Sequence, residues 1–126
     1  MNEKVSAERL EIFAPVNGFL MPIETVPDPV FAQKLVGDGV SIDPTSDCLK
    51  APVAGEIIQL HASSHALTIK TASGIEVLVH IGLDTVKLGG RGFAALVKKG
   101  DLVEKGQELI RFDADLVATS ARSLLT

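Results

Sequence analysis

Tryptophan and tyrosine are absent from the 126 residues and phenylalanine occurs only five times. The chain therefore lacks the stacking faces that hold single-stranded bases or a quaternary ammonium group. Basic charge is also short. Twelve Lys and Arg stand against sixteen Asp and Glu, a net charge of −4, and beyond Lys98-Lys99 no cluster could track a phosphate backbone. Nucleic acid is not an expected partner. The single cysteine, Cys48, excludes an intrachain disulfide and points to a reducing compartment, the cytoplasm. Met1 to Leu10 contains no apolar run of signal-peptide length, and Ile75 to Leu83 is interrupted by Glu76 and His80. Neither a signal peptide nor membrane insertion is expected. The sequence has no G-x-S-x-G, HExxH, CxxC or Walker loop, and Gly89-Gly90-Arg91-Gly92 lacks the Lys-Ser/Thr pair of a phosphate loop.

What remains is aliphatic and much interrupted. Hydrophobic residues make up 46% of the chain, enough for one core at this length. Eleven glycines and six prolines fall so closely along it that helices of ordinary length barely fit between them. Between these breakers lie short β-branched segments at Gly18 to Ile23, Gly39 to Ile42, Gly55 to Leu60, Ala66 to Thr71, Ile75 to Ile81 and Gln107 to Phe112. The expected fold is all-β, an antiparallel sandwich or barrel. Two short helical turns are expected at Pro29 to Val36 and Asp115 to Leu125. An internal echo, Ala14-Pro15-Val16-Asn17-Gly18 and Ala51-Pro52-Val53-Ala54-Gly55, makes the sandwich pseudo-symmetric, since two copies are too few for a solenoid.

The chemistry is concentrated in the histidines. His65 and His80 flank a turn at Thr71-Ala72-Ser73-Gly74, which reads as a hairpin. A two-residue loop at Ala72-Ser73, or a four-residue loop, sets His65 opposite His80, and one at Ser73-Gly74 sets them one diagonal apart on the same face. Either leaves both rings within reach of one small ligand. A three-residue loop would put them on opposite faces. Two imidazoles on an apolar face fit a nucleophile with a helper at a bound anion or an incomplete zinc pair. Asp84, four residues past His80, is a candidate third partner, with a solvated loop carboxylate the plain alternative. Lys98 to Leu109 looks like the turn and strand of lipoyl and biotinyl carrier domains, but no lysine stands at a tip between Met or Asp neighbours. On the residues alone, a phosphoryl carrier, a lipoyl- or biotinyl-like carrier module and a small metal-binding β domain stay open.

Gly74-Ile75-Glu76-Val77-Leu78-Val79-His80-Ile81-Gly82-Leu83-Asp84-Thr85-Val86 resembles the signature of the glucose-family IIA domain of the bacterial phosphoenolpyruvate-dependent sugar phosphotransferase system. Further matches follow in order: Phe13-Ala14-Pro15 with Gly18, Val26 to Ala32, Val36 to Val40, Ala51 to Gly55, His65-Ala66, Gly92-Phe93 and Gly100-Asp101. The resemblance implies a β-sandwich phosphotransferase component that needs no cofactor. It implies His80 as the phosphorylated nucleophile, His65 as the stabilising neighbour, Ser63 in a supporting place, and the Gly82 carbonyl fixing the His80 tautomer. The implied partners are the carrier protein HPr as donor and the cysteine of a IIB domain as acceptor. They would dock on a rim of Asp28, Pro29, Val30, Phe31 and Asp84, whereas Leu88 and Phe93 read as core. Residues 1–126 are expected to form one domain without the family's C-terminal strands, either a shortened form or one domain of a longer chain in which further phosphotransferase domains flank it. The amphipathic N-terminal helix of some members is not expected, because Glu3, Lys4, Glu8, Arg9 and Glu11 leave no apolar stripe.

Overall fold

The computed structural model describes residues 10–126, so the expectations for Met1 to Arg9 lie outside the described residues. The β-branched segments become strands β1 (Gly18–Pro22), β2 (Val40–Pro44), β4 (Gly55–Leu60), β5 (Ala66–Lys70), β6 (Glu76–His80) and β9 (Glu108–Phe112). Three short strands escaped the pattern: β3 (Cys48–Lys50), β7 (Phe93–Ala95) and β8 (Leu102–Val103). At two or three residues they are too short for alternation to show. All pairings are antiparallel, in a two-stranded sheet β1-β2, a three-stranded sheet β3-β9-β7 and a four-stranded sheet β6-β5-β4-β8. The expected all-β sandwich is the observed architecture.

The sheets close on one core. Ile42 of β2, Leu49 of β3, Ile57 of β4, Leu67 and Ile69 of β5, Val79 of β6 and Leu109 and Ile110 of β9 are all buried in it. The internal echo is one device used twice. Val16 and Val53 are both buried in that core, and Gly18 and Gly55 each open a strand, β1 and β4. A Cβ on Gly18 would run into the Asp43 carbonyl, and one on Gly55 into the Lys70 carbonyl. Each glycine lets a strand approach its partner's backbone closely.

Both helical turns form, but shorter than expected. α1 spans Pro29–Ala32, with proline at its start and the Asp28 side chain accepting from the Val30 amide at 3.0 Å. It ends where Lys34 turns left-handed at φ 58°. α2 spans Ala114–Ser120, capped by Asp113 and anchored by the buried Val117. The helical spacing that extends to Ser123 is not used, because Ser123 bridges Leu83 in an extended segment and Thr126 pairs with Ile42.

Candidate functional site

The hairpin β5–β6 carries the site. Its register pairs Ala66 with His80 and Leu67 with Val79, and the Thr71 amide donates to the Ile75 carbonyl at 2.8 Å. Only Ala72, Ser73 and Gly74 remain as loop, with Gly74 at φ 93°. This is the three-residue loop, the one register in which strict alternation separates the two rings. Leu67 and Ile69 face the core, whereas His80 lies opposite Ala66 on the other face. The imidazoles nevertheless meet, with centroids 4.9 Å apart and planes at 83°. His65 precedes β5 and follows Ser64 at φ 61°, so the chain is turning where its ring leaves the backbone and the alternation of a regular strand no longer applies. The Ile81 amide donates to the His65 carbonyl at 2.8 Å and holds the two ends together.

His80 ends β6 and is half-buried, with Nδ1 2.8 Å from the Gly82 carbonyl oxygen. A carbonyl only accepts, so Nδ1 carries the proton and Nε2 presents a lone pair. Gly82 is suited to this turn: it sits at φ 72°, and a Cβ there would lie 2.5 Å from Thr85 Cγ2. Burial pushes the His80 pKa down, partly opposed by the Gly82 bond and by the nearby Asp28 carboxylate, with His61 pushing it down further. The ring is therefore a neutral base at neutral pH. His65 is buried, and its Nδ1 has no hydrogen-bond partner. Burial, then His80, then His61 hold its pKa at about 4.

The structure brings most of the expected rim together. Phe31 of α1 packs on the His80 ring with centroids 5.1 Å apart, and Asp28 both caps α1 and acts electrostatically on His80. Pro29 and Val30 are exposed beside them. Asp84 is half-buried at φ 57°, ahead of a 3₁₀ turn at Thr85–Leu88, and its side chain caps nothing. Leu88 is buried, as a core residue should be. Phe93 packs against the core and also lies 6.2 Å from the His65 ring, centroid to centroid. Ser63 contributes its backbone amide, which donates to His61 Nδ1 at 3.0 Å, while His65 Nδ1 stays unpartnered.

Sequence reasoning passed over His61, whose ring lies 4.4 Å from that of His65. The available signal was its spacing, four residues before His65 across a tight turn. A groove of about 670 Å³ runs from His80 and Phe31 past Leu78 to Val40 and Ile75. Cys48 lies on β3, in a different sheet from the hairpin, and its thiol pKa is raised by burial and then by Glu108.

These features narrow the three readings. Among the described residues no three His, Cys, Asp or Glu side chains converge as metal ligands, and Lys98 opens a turn closed by Asp101 rather than standing at a hairpin tip. A sandwich that ends one hairpin in two apposed, desolvated imidazoles leaves the phosphoryl carrier as the reading that fits, and similarity to known proteins places the chain among the phosphotransferase-system carriers of sugar uptake. The sequence model of the phosphoenolpyruvate-dependent sugar phosphotransferase system, EIIA 1, matches residues 10–126, and the chain belongs to that family. It is 52% identical over 125 residues to the PTS system glucose-specific EIIA component of Halalkalibacterium halodurans, covering 99% of this chain and 72% of that protein. Identity to the Bacillus cereus component of the same description is 50% over 115 residues, 91% of this chain and 70% of that one. The solved structure of glucose permease IIA from Mycoplasma capricolum superposes with a TM-score of 0.90 at 39% identity, over 92% of this chain and 75% of that chain. Among the described residues no helix is long and apolar enough to cross a membrane.

Proposed function

We propose that this chain accepts a phosphoryl group on His80 from the phosphohistidine of HPr and passes it to the cysteine of a IIB domain, in the cytoplasm, as one step of sugar uptake. The observation that carries the reading is the 2.8 Å contact of His80 Nδ1 with the Gly82 carbonyl oxygen, which leaves Nε2 as the free nucleophile. In the first half-reaction the Nε2 lone pair forms the new N–P bond as the donor's N–P bond breaks, and the leaving nitrogen keeps that electron pair. Each ring keeps its other N–H proton, so no proton need move. In the second half-reaction the acceptor thiolate forms an S–P bond, and the N–P electrons return to Nε2. The transition state is loose and in line, so positioning and stabilisation of the equatorial oxygens matter more than covalent help. His65 lies edge-on at the reacting ring and supplies a donor to those oxygens. The apolar surroundings exclude water that would hydrolyse the adduct.

Asp28, Pro29, Val30, Phe31 and Asp84 form the docking rim on this reading, and the groove beside β6 continues it. Both partners would bind there weakly, as a shuttle requires. Residues 1–126 serve as one carrier domain, and other domains of the system flank it where the natural chain is longer. The test is intact mass after incubation with phosphoenolpyruvate, enzyme I and HPr. A single acid-labile, alkali-stable phosphoryl group is expected, and its persistence in His80→Ala would overturn the assignment.

A further inference from the structure

The third histidine takes no part in the transfer just described, yet it makes the closest ring contact of the cluster. His61 and His65 have centroids 4.4 Å apart at 56°, against 4.9 Å between His65 and His80. The backbone fixes the His61 ring. The Ser63 amide donates to Nδ1 at 3.0 Å, and an imidazole nitrogen that accepts a hydrogen bond carries no proton, so the neutral ring bears its hydrogen on Nε2. The turn that presents it is closed on itself, with the His61 amide bonded to the Ala66 carbonyl at 2.9 Å and the Ser64 amide to the His61 carbonyl at 2.8 Å.

His65 has no comparable tether. Its Nδ1 is buried without a partner, and its ring is bounded by three other rings, those of His61, His80 and Phe93. The last torsion of a histidine is broad and roughly two-fold, so a ring without a hydrogen bond turns unless its neighbours prevent it. Rotation would carry the donor nitrogen away from the phosphoryl position.

On the reading that His80 carries the phosphoryl group and His65 stabilises it, we propose that His61 is a positioning residue of the transfer site: its ring, locked by the Ser63 amide, holds the untethered His65 imidazole edge-on to His80. The electrostatics agree with this placement, since His61 is among the groups that depress the pKa of both other histidines. His61 itself is exposed, so truncating it leaves the core intact.

Misplacing a reacting group by ~1 Å costs up to about 10²-fold in rate, and loosening one helper ring should cost less, about tenfold. The experiment measures both half-reactions by rapid quench for His61→Ala and His61→Phe, alone and combined with His65→Ala. In His61→Ala the expected result is a roughly tenfold slower transfer to the IIB cysteine with an unchanged KM for HPr. His61→Phe keeps a ring against His65 and should recover most of that loss. Combined with His65→Ala, neither substitution should cost anything further. Wild-type rates in His61→Ala overturn the proposal, and so does an undiminished loss in the His65→Ala background. The underlying reading fails separately, by the absence of a phosphoryl group on His80 in the unaltered chain. A second measurement needs no transfer at all. Long-range proton–nitrogen spectra of the unphosphorylated chain should show His61 as the Nε2–H tautomer, and the His65 ring signals should broaden or shift in His61→Ala. Sharp, unshifted His65 signals in that variant overturn the positioning role whatever the kinetics.

Discussion

At position 65 the chain buries an imidazole whose Nδ1 has no partner, an arrangement that costs ~1–3 kcal/mol for an unsatisfied buried polar group and that a leucine would avoid. Packing alone gives no reason for it, whereas a donor needed only when phosphate is present does. His65→Gln separates the two. A glutamine amide is a shorter donor that cannot occupy the ring's edge-on position, so the variant should pass the phosphoryl group more slowly in both half-reactions, by up to about 10² to 10³-fold. Rapid-quench rates equal to wild type in both half-reactions would remove His65 from the mechanism. Cys48 offers the opposite case, with its thiol held protonated by burial and Glu108. Cys48→Ser should leave both half-reactions within about twofold, measured in the same way.

Among the elements, α1 has the most to do for its size. Four residues cannot sustain a helix by propensity, so the Asp28 cap and the packing of Phe31 on His80 hold it in place. Removing a cap costs ~0.5–2 kcal/mol, and in Asp28→Ala that loss should appear as a KM for HPr raised about twofold to thirtyfold. Asp28→Asn keeps a capping oxygen and should stay close to wild type. If the two variants behave alike in a half-reaction titration, the carboxylate charge rather than the cap is what matters at this position. The six longer strands were legible because β-branched runs between Gly and Pro reach four residues or more. β3, β7 and β8 were not, because two or three residues carry no period. The hairpin was legible as a hairpin, but the route to its site was not. Adjacency follows from loop length only where both histidines belong to regular strands, and the observed register would separate the rings if His65 belonged to β5. The left-handed Ser64 brings them together, and nothing in the local sequence marks a serine for that conformation. The signature around His80 carried what the strand pattern could not.

For the molecule as a whole, the depressed histidines tie stability to pH. Unfolded, His65 titrates near 6.5, and folded it titrates at about 4; His80 is shifted in the same direction. Between those values the unfolded chain binds more protons, so stability is full above pH 6.5 and is lost as the pH falls toward 4. The urea midpoint should therefore be lower at pH 5 than at pH 7.5, and the difference should shrink in His65→Gln. The three sheets share one core, but the site does not depend on all of them equally. Its two rings sit at the ends of a single hairpin, separated by a loop so short that closing it costs little chain entropy. In hydrogen exchange, the Ile81 amide, bonded to the His65 carbonyl at 2.8 Å, then becomes a clock for the site itself. While that one bond stays shut the backbone keeps the two histidine positions side by side, even during openings that release β1 from β2. Its exchange rate reports how readily the two ends of the hairpin part, and the amides of the two-stranded sheet report separately on the other wall of the groove, where Val40 and Ile42 lie.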